Sequence, residues 1–140
     1  MDQLLQNPYL AVVIFTITGV LLEILQVSVF FLISRLTLKE ELSHENQDVG
    51  WIVAGLLISM GLIIHSAMTH NDALVRAVVF SLFGALMNIL AYYLLNFLFK
   101  LVMPGWKSLD EAIKHRFLPG AIMSCGAFVA IGLIIAGALA

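Results

Sequence analysis

Four long apolar runs dominate this sequence and restrict what the chain can fold into. They cover Tyr9 to Ser34, Gly50 to Met68, Ala73 to Phe99, and Gly120 to Ala140. A helix needs about 20 predominantly apolar residues to cross a hydrocarbon core of about 30 Å, and each run meets or approaches this length. Only 11% of the residues are charged, against roughly a quarter in soluble domains. The sequence predicts an all-α integral membrane protein with four transmembrane helices in one domain, residues 1–140.

Basic residues near the ends of these runs predict the orientation of the helices. Six of the seven Lys and Arg residues lie in loops 35–49 and 100–119: Arg35, Lys39, Lys100, Lys107, Lys114 and Arg116. The seventh, Arg76, lies near the short connection at the opposite end. Because cytoplasmic loops carry an excess of basic residues, we expect both long loops in the cytoplasm and both termini outside. The first run lacks preceding basic residues and is predicted to remain a helix, uncleaved.

The two halves of the chain resemble each other, which predicts a tandem repeat of helix hairpins. Residues 38–68 align with residues 109–139 at a shift of 71. The shift matches polar residues and glycines as well as apolar residues: Glu40 with Glu111, His44 with His115, and Gly55 with Gly126. Hydrophobicity alone does not explain such matches. We expect repeat units 9–68 and 73–140 to have parallel orientation, related by an axis along the membrane normal, in a four-helix bundle.

The first and third predicted helices each carry a polar stripe. Residues spaced by three and four lie on one helical face. The stripes contain Thr16, Gly19, Glu23 and Gln26 in the first helix, and Ser81, Gly84, Asn88 and Tyr92 in the third. Polar stripes are costly against lipid, so we expect them to face each other or a second subunit. The two glycines would permit close approach between helices.

Glu23 is the only acidic residue deep inside an apolar run. Charging a carboxylate at mid-membrane costs about 2.5 kcal/mol or more. One interpretation is a neutral carboxyl group that hydrogen-bonds Gln26, Asn88 or a backbone carbonyl group and holds helices together. The other is a proton or cation relay, because ionisable residues inside membranes often serve transport. Both interpretations remain open from the sequence.

Small residues recur on the second and fourth predicted helices. Gly55 and Ser59 align with Gly126 and Ala130. Small residues four positions apart are typical of contacts between membrane helices, so we expect these four residues to pack helices. Cys125 is the only cysteine, which excludes an intrachain disulfide.

The long loops contain similar polar segments that predict short amphipathic helices. Thr37 and Ser108 are suited to be N-caps, with Glu40 and Glu111 three residues further on as capping-box partners. Leucines and acids in these segments favour a position at the cytoplasmic membrane surface. We therefore expect solvated loop faces.

Metal binding is an alternative interpretation of two residue groups. The first consists of Glu-x-x-x-His pairs in the loops: Glu40 with His44, and Glu111 with His115. Two such pairs could offer carboxylate and imidazole ligands. The second group, for a soft metal, is His65, Met68 and His70. Spacing alone does not define a site, and we expect no metal and no cofactor.

The sequence offers no motif for catalysis or nucleic-acid binding. It has no nucleophile elbow, phosphate-binding glycine loop, zinc-protease helix or paired cysteine motif. The longest polar stretch, around residues 100–119, is too short to fold a catalytic domain. There is no basic face for nucleic acid. We expect a protein that is not an enzyme.

The ends of both loops carry a resemblance to a known family. The first segment is Glu40-Glu41-Leu42-Ser43-His44-Glu45-Asn46, followed by Gly55, and the second is Asp110-Glu111-Ala112-Ile113, followed by Gly120-Ala121-Ile122 and Gly126. They resemble the loop-to-helix signature of the YjfL-like family (domain of unknown function 350), small bacterial inner-membrane proteins with two hairpins. The family's usual Gly-Asn is Glu45-Asn46 here, and Arg116-Phe117 in the second copy. The resemblance implies four helices in a bacterial inner membrane and partners in envelope stress or membrane remodelling.

Two functions are compatible with these features. The first is a non-enzymatic, self-associating scaffold or partner subunit, because four short helices enclose little interior. The second is a small proton- or cation-coupled transporter or channel that uses Glu23. A central glutamate in the first of four helices is similar to the small multidrug resistance transporters, whose aromatic pattern before the glutamate is missing here. The expected partners are lipid, further copies of the chain and other envelope proteins.

Overall fold

The chain forms a bundle of helices in the computed structural model, which describes residues 7–33, 45–70, 73–103, 105 and 107–140, with only the backbone of Pro8. Within these residues there are five helices and no strand: α1 Pro8–Ile33, α2 Gln47–Thr69, α3 Leu74–Val102, α4 Leu109–Lys114 and α5 Leu118–Leu139. Helices α1, α2, α3 and α5 are long and apolar enough to cross a membrane. The predicted class, an all-α membrane protein with four spanning helices, is therefore confirmed.

Local interactions determine where two of the membrane helices begin. α2 starts before the predicted apolar run, because the Asn46 side chain accepts a hydrogen bond from the Asp48 N–H group at 3.2 Å. Asparagine is a favourable N-cap, and Asp48 puts a negative charge near the positive end of the helix dipole. α5 has Pro119 in its first turn. Proline is favourable there, because N–H groups in the first turn of a helix have no acceptor within the helix and the missing N–H group costs no hydrogen bond.

The most extensive contact in the fold joins α2 to α5. Glycines permit it: a Cβ atom on Gly55 would lie 2.7 Å from Cys125 Cα, and one on Gly132 would lie 2.7 Å from Ser59 Cα. Two helices approach this closely only where side chains are absent or very small. Gly55 and Ser59 therefore lie in a helix contact.

The residues of α5 that contact α2 differ from those expected. Among the described residues, no neighbouring atom lies within 4 Å of a Cβ built on Gly126. Gly126 and Ala130 both lie on the exposed face of α5, and the contact is made by Cys125 and Gly132 instead. Adjacent helical residues point about 100° apart, so the direction of contact depends on how α5 is rotated about its axis. Sequence alignment of the two halves does not fix that rotation.

Buried apolar side chains form two clusters along the bundle. One consists of Leu22, Met60, Ile63, Ile64 and Ala85. The other is rich in aromatic residues and includes Phe30, Tyr92, Phe99, Ile113 and Phe128. In this second cluster Tyr92 stacks on Phe128 with ring centroids 5.9 Å apart and meets Phe30 edge to face at 4.8 Å. Such aromatic pairs add roughly 0.5–1.5 kcal/mol to the stabilisation from burial.

Helix α4 packs into the end of the bundle. The Ser108 hydroxyl accepts a hydrogen bond from the Glu111 N–H group at 3.1 Å, which confirms the predicted N-cap. The Glu111 carboxylate accepts from the Lys107 N–H group at 2.9 Å, one residue before the partner expected in a capping box. Four of the six residues of α4 are buried: Leu109, Asp110, Ala112 and Ile113. The solvated face of this segment is therefore smaller than expected.

Both polar connections contain a residue with a left-handed backbone. Glu45 has a φ of 53° and Arg116 a φ of 58°, each two residues before a membrane helix. They are 71 positions apart, the shift that aligns the two halves of the sequence. Glycine adopts this conformation with least strain. Asn46 Nδ2 also donates to the Ile113 carbonyl oxygen at 3.2 Å and joins the two connections. The tandem repeat itself stays a prediction.

Helix α1 is the least enclosed of the membrane helices. In its most apolar 18-residue window only 11% of residues are buried, against 50% for α2. It rests against α2 and α3. Most of its apolar side chains are therefore available to lipid or to another chain.

Candidate functional site

A fully buried pair of polar side chains joins α2 to α3. The Ser59 hydroxyl donates to Asn88 Oδ1 at 3.0 Å, and Asn88 Nδ2 lies 2.7 Å from Ser59 Oγ as a second donor. Neither residue has measurable exposure. The backbone of α5 covers the pair, because Gly132 lies against Ser59. This closed arrangement joins α2 and α3 beneath α5.

Glu23 lies in an open groove between α1 and α2, which we call the Glu23 groove. It has a volume of about 300 Å³, and its lining includes Thr16, Gly19, Glu23, Gly61, His65 and Met68. A Cβ on Gly61 would lie 3.3 Å from Glu23 Oε1, so glycine at this position lets the carboxyl group approach the α2 backbone. Among the described residues, none hydrogen-bonds the Glu23 carboxyl group. The groove thus presents a carboxyl, a hydroxyl and an imidazole group on its open side.

Gln26 faces a different space, which we call the Gln26 groove. This groove has a volume of about 180 Å³ and is otherwise lined by apolar residues of α1, α2 and α3. Only 3% of Gln26 is exposed. Neither Gln26 Oε1 nor Nε2 has a hydrogen-bond partner in the described part of the chain. A buried amide left unpaired costs about 1–3 kcal/mol, so a partner from outside the chain would stabilise it.

The two predicted polar stripes do not meet. In α1, Thr16, Gly19 and Glu23 share one groove while Gln26 lies in the other. In α3, each polar residue bonds elsewhere: Ser81 Oγ donates to the Ala77 carbonyl oxygen at 2.8 Å, Asn88 bonds Ser59, and the Tyr92 hydroxyl donates to Asp110 Oδ1. Gly84 lies against the Ile63 side chain of α2.

The predicted loop metal site falls partly outside the described residues. Glu40 and His44 are not among them. Within residues 45–70, 73–103 and 107–140, and in the described part of α1, no three His, Cys, Asp or Glu side chains come together as metal ligands would. Glu111 accepts a hydrogen bond from the backbone of Lys107. The four-residue site that includes His115 stays a prediction.

The proximity of Glu23 and His65 was not predicted from the sequence. The geometry of a helix hairpin would have predicted it, because positions equally distant from the middle of the loop lie opposite each other. Glu23 and Gly61 are equally distant from the middle of loop 35–49. His65 follows Gly61 by four residues and therefore lies on the same face of α2.

Comparison with known proteins identifies the chain at the level of a family. A family model described as "Domain of Unknown Function (DUF350)" matches residues 3–139, nearly the whole sequence. No curated protein and no solved structure matches the chain.

Proposed function

Since this chain belongs to the DUF350 family, a domain of unknown function, and presents polar groups in an open groove of a membrane helix pair, we propose that it is a non-enzymatic, self-associating membrane subunit. It acts as a scaffold or as a partner for other envelope proteins. The Glu23 groove is the observation that carries this proposal.

Polar side chains exposed to hydrocarbon are the main argument for self-association. A charged side chain at the bilayer centre costs about 2.5–3.5 kcal/mol, and hydroxyl and imidazole groups also lose hydrogen bonds there. A second copy of the chain that covers the Glu23 groove removes Glu23, Thr16 and His65 from lipid. The weak enclosure of α1 supports this arrangement, because its apolar side chains are free to form the surrounding contact.

Glu23→Leu should weaken self-association, whereas Glu23→Gln should preserve it. Hydrogen bonds between membrane helices contribute about 0.6 kcal/mol on average and at most about 1.7, so we expect the dissociation constant to rise about 3- to 20-fold for leucine. Glutamine retains both a donor and an acceptor. The measurement is energy transfer between labelled copies in liposomes as the protein is diluted with lipid.

Arg76→Leu is the matched control, because it also replaces an ionisable residue with leucine but lies outside the groove. Its dissociation constant should equal that of the wild type. A wild-type protein that stays monomeric at every dilution would contradict the proposal, as would equal association of the leucine variant and the wild type.

The proposal includes a bacterial inner membrane and a defined orientation. Lys100, Lys107, Lys114 and Arg116 lie at one end of the bundle. Their charge favours the cytoplasm for this end and the outside for both termini. A reporter that is active only outside the cytoplasm, fused after Ala140, should be active, and an inactive reporter in a folded fusion would reverse the orientation.

A proton or cation relay is the second candidate function, and the shared groove of Glu23 and His65 favours it. A carboxyl and an imidazole group on facing helices are a suitable pair for passing a proton, because each side chain can accept and release one. Glu23→Gln separates the two candidates, since it preserves hydrogen bonding but removes the titratable proton. If Glu23 is part of a relay, the Glu23→Gln variant assembles normally but no longer carries protons or cations into liposomes. Under the scaffold alone, wild type and variant show equal flux.

A further inference from the structure

A polar cavity lies at the end of the bundle where α3 meets α4, far from the Glu23 groove. Its volume is about 530 Å³. Two lysines line it, Lys100 near the end of α3 and Lys107 just before α4, together with Asn96 and Ser108. None of these residues lines the Glu23 groove.

Hydrogen bonds on the protein side orient two of these groups as donors. Asn96 Oδ1 accepts from the Leu109 N–H group at 2.8 Å, which leaves the amide nitrogen of Asn96 as its donor end. Ser108 Oγ accepts from the Glu111 N–H group at 3.1 Å, which leaves the hydroxyl proton to be donated. The lysine ammonium groups add further donors. The cavity is thus equipped to bind a ligand with several acceptor oxygens.

The charge of the cavity is positive. Asp110 also lines it, but its Oδ1 atom already accepts a hydrogen bond from the Tyr92 hydroxyl. Two lysines against one carboxylate leave one net positive charge. The favoured ligand is therefore an anion.

The position of the cavity along α3 indicates a ligand at the membrane surface. α3 has 29 residues and a length of about 43 Å, from a rise of 1.5 Å per residue. This exceeds the hydrocarbon core of about 30 Å, so Lys100 near the end of the helix reaches the level of the lipid headgroups. Ile33 and Phe97 line the same cavity and are exposed, which provides an apolar wall beside the basic groups.

We propose that this cavity binds the phosphate group of an anionic phospholipid. Lys100 and Lys107 neutralise the phosphate, Asn96 and Ser108 donate hydrogen bonds to its oxygens, and an acyl chain lies along Phe97 and Ile33. Basic pockets between membrane helices are suited to anionic headgroups. A soluble phosphate would use the same donors but would gain nothing from the apolar wall.

The test compares lipids and variants in one binding experiment. Delipidated protein in neutral detergent is titrated with phosphatidylglycerol or phosphatidylcholine, and bound lipid is counted by native mass spectrometry. We expect phosphatidylglycerol to bind at least tenfold more tightly. Lys100→Gln should weaken its binding about fivefold, and the double variant with Lys107→Gln about 25-fold.

Lys114→Gln is the matched control, since it removes the same charge from an exposed residue of α4 outside this cavity. It should bind phosphatidylglycerol like the wild type, as should Lys100→Arg, which keeps the charge. Equal weakening by Lys114→Gln would show unspecific attraction and overturn the proposal. Absence of a headgroup preference would overturn it too. Displacement of the lipid by millimolar glycerol phosphate would assign the site to a soluble phosphate instead.

Discussion

Gly132→Ala should lower the free energy of unfolding by about 2–6 kcal/mol. The new methyl group would lie 2.5 Å from Ser59 Oγ and 2.7 Å from Ser59 Cα, so α2 and α5 have to separate. Overpacking costs about 1–3 kcal/mol. Displacement of Ser59 also strains its buried hydrogen bonds with Asn88, and an unsatisfied buried group adds about 1–3 kcal/mol. Unfolding by SDS in mixed micelles, followed by circular dichroism, measures the change.

Gly126→Ala is the control in the same helix. No described neighbour lies within 4 Å of the added methyl group. Alanine favours helix over glycine by up to about 1 kcal/mol, so stability should stay the same or increase. Equal destabilisation by the two variants would contradict the close contact between α2 and α5 at Gly132.

Tyr92→Ala should be the most destabilising change in the aromatic cluster. Tyr92 is buried, and its ring contacts Phe30 and Phe128. Loss of a large buried ring costs about 3–5 kcal/mol. The variant also removes the hydroxyl group that donates to Asp110, which is itself buried. Tyr92→Phe keeps the ring and removes only this hydrogen bond to a carboxylate, so its cost should be about 1.5–3 kcal/mol.

Tyr93→Ala provides the comparison for the aromatic cluster. Half of the Tyr93 side chain is exposed, and it lies one residue further along the same helix. Its effect on the free energy of unfolding should be about 0.5 kcal/mol or less. Equal stability of Tyr92→Phe and the wild type would show that the hydrogen bond to Asp110 does not stabilise the fold. An equal loss of unfolding free energy in Tyr92→Ala and Tyr93→Ala would contradict the packing of the cluster.

The membrane helices were predictable because apolar length alone defines them. A run such as Tyr9 to Ser34 has only one way to satisfy its backbone in lipid, and that is a helix. The Ser108 cap was also predictable, because a serine before an acidic first turn accepts a hydrogen bond from the N–H group three residues further on. Such features depend on local chemistry. The early start of α2 depends on Asn46, whose capping preference is also local, but the first residues of α2 are polar and lie outside the apolar run.

The contacts between helices were less predictable. Helices that are apolar on every side leave their rotation undetermined, and close approach of small residues distant in sequence then decides which face is buried. Cys125 and not Gly126 meets Gly55 for this reason. The partner of Asn88 is Ser59 and not Glu23, because α3 turns its polar face to α2. Glu23 and His65 line one groove. To predict this from the sequence, the register of the α1–α2 hairpin is needed in addition to the polar stripe of α1.

The contact between α2 and α5 has a consequence for how the protein is made. Ser59 and Gly132 lie 73 positions apart, so a ribosome delivers α2 to the membrane long before its main partner is synthesised. Until α5 is inserted, the face of α2 at Gly55, which meets Cys125 of α5, stays uncovered. Native structure that depends on distant segments forms late. The contact with α5 therefore forms only after α5 is inserted, and until then an insertase or a chaperone has this face of α2 to recognise.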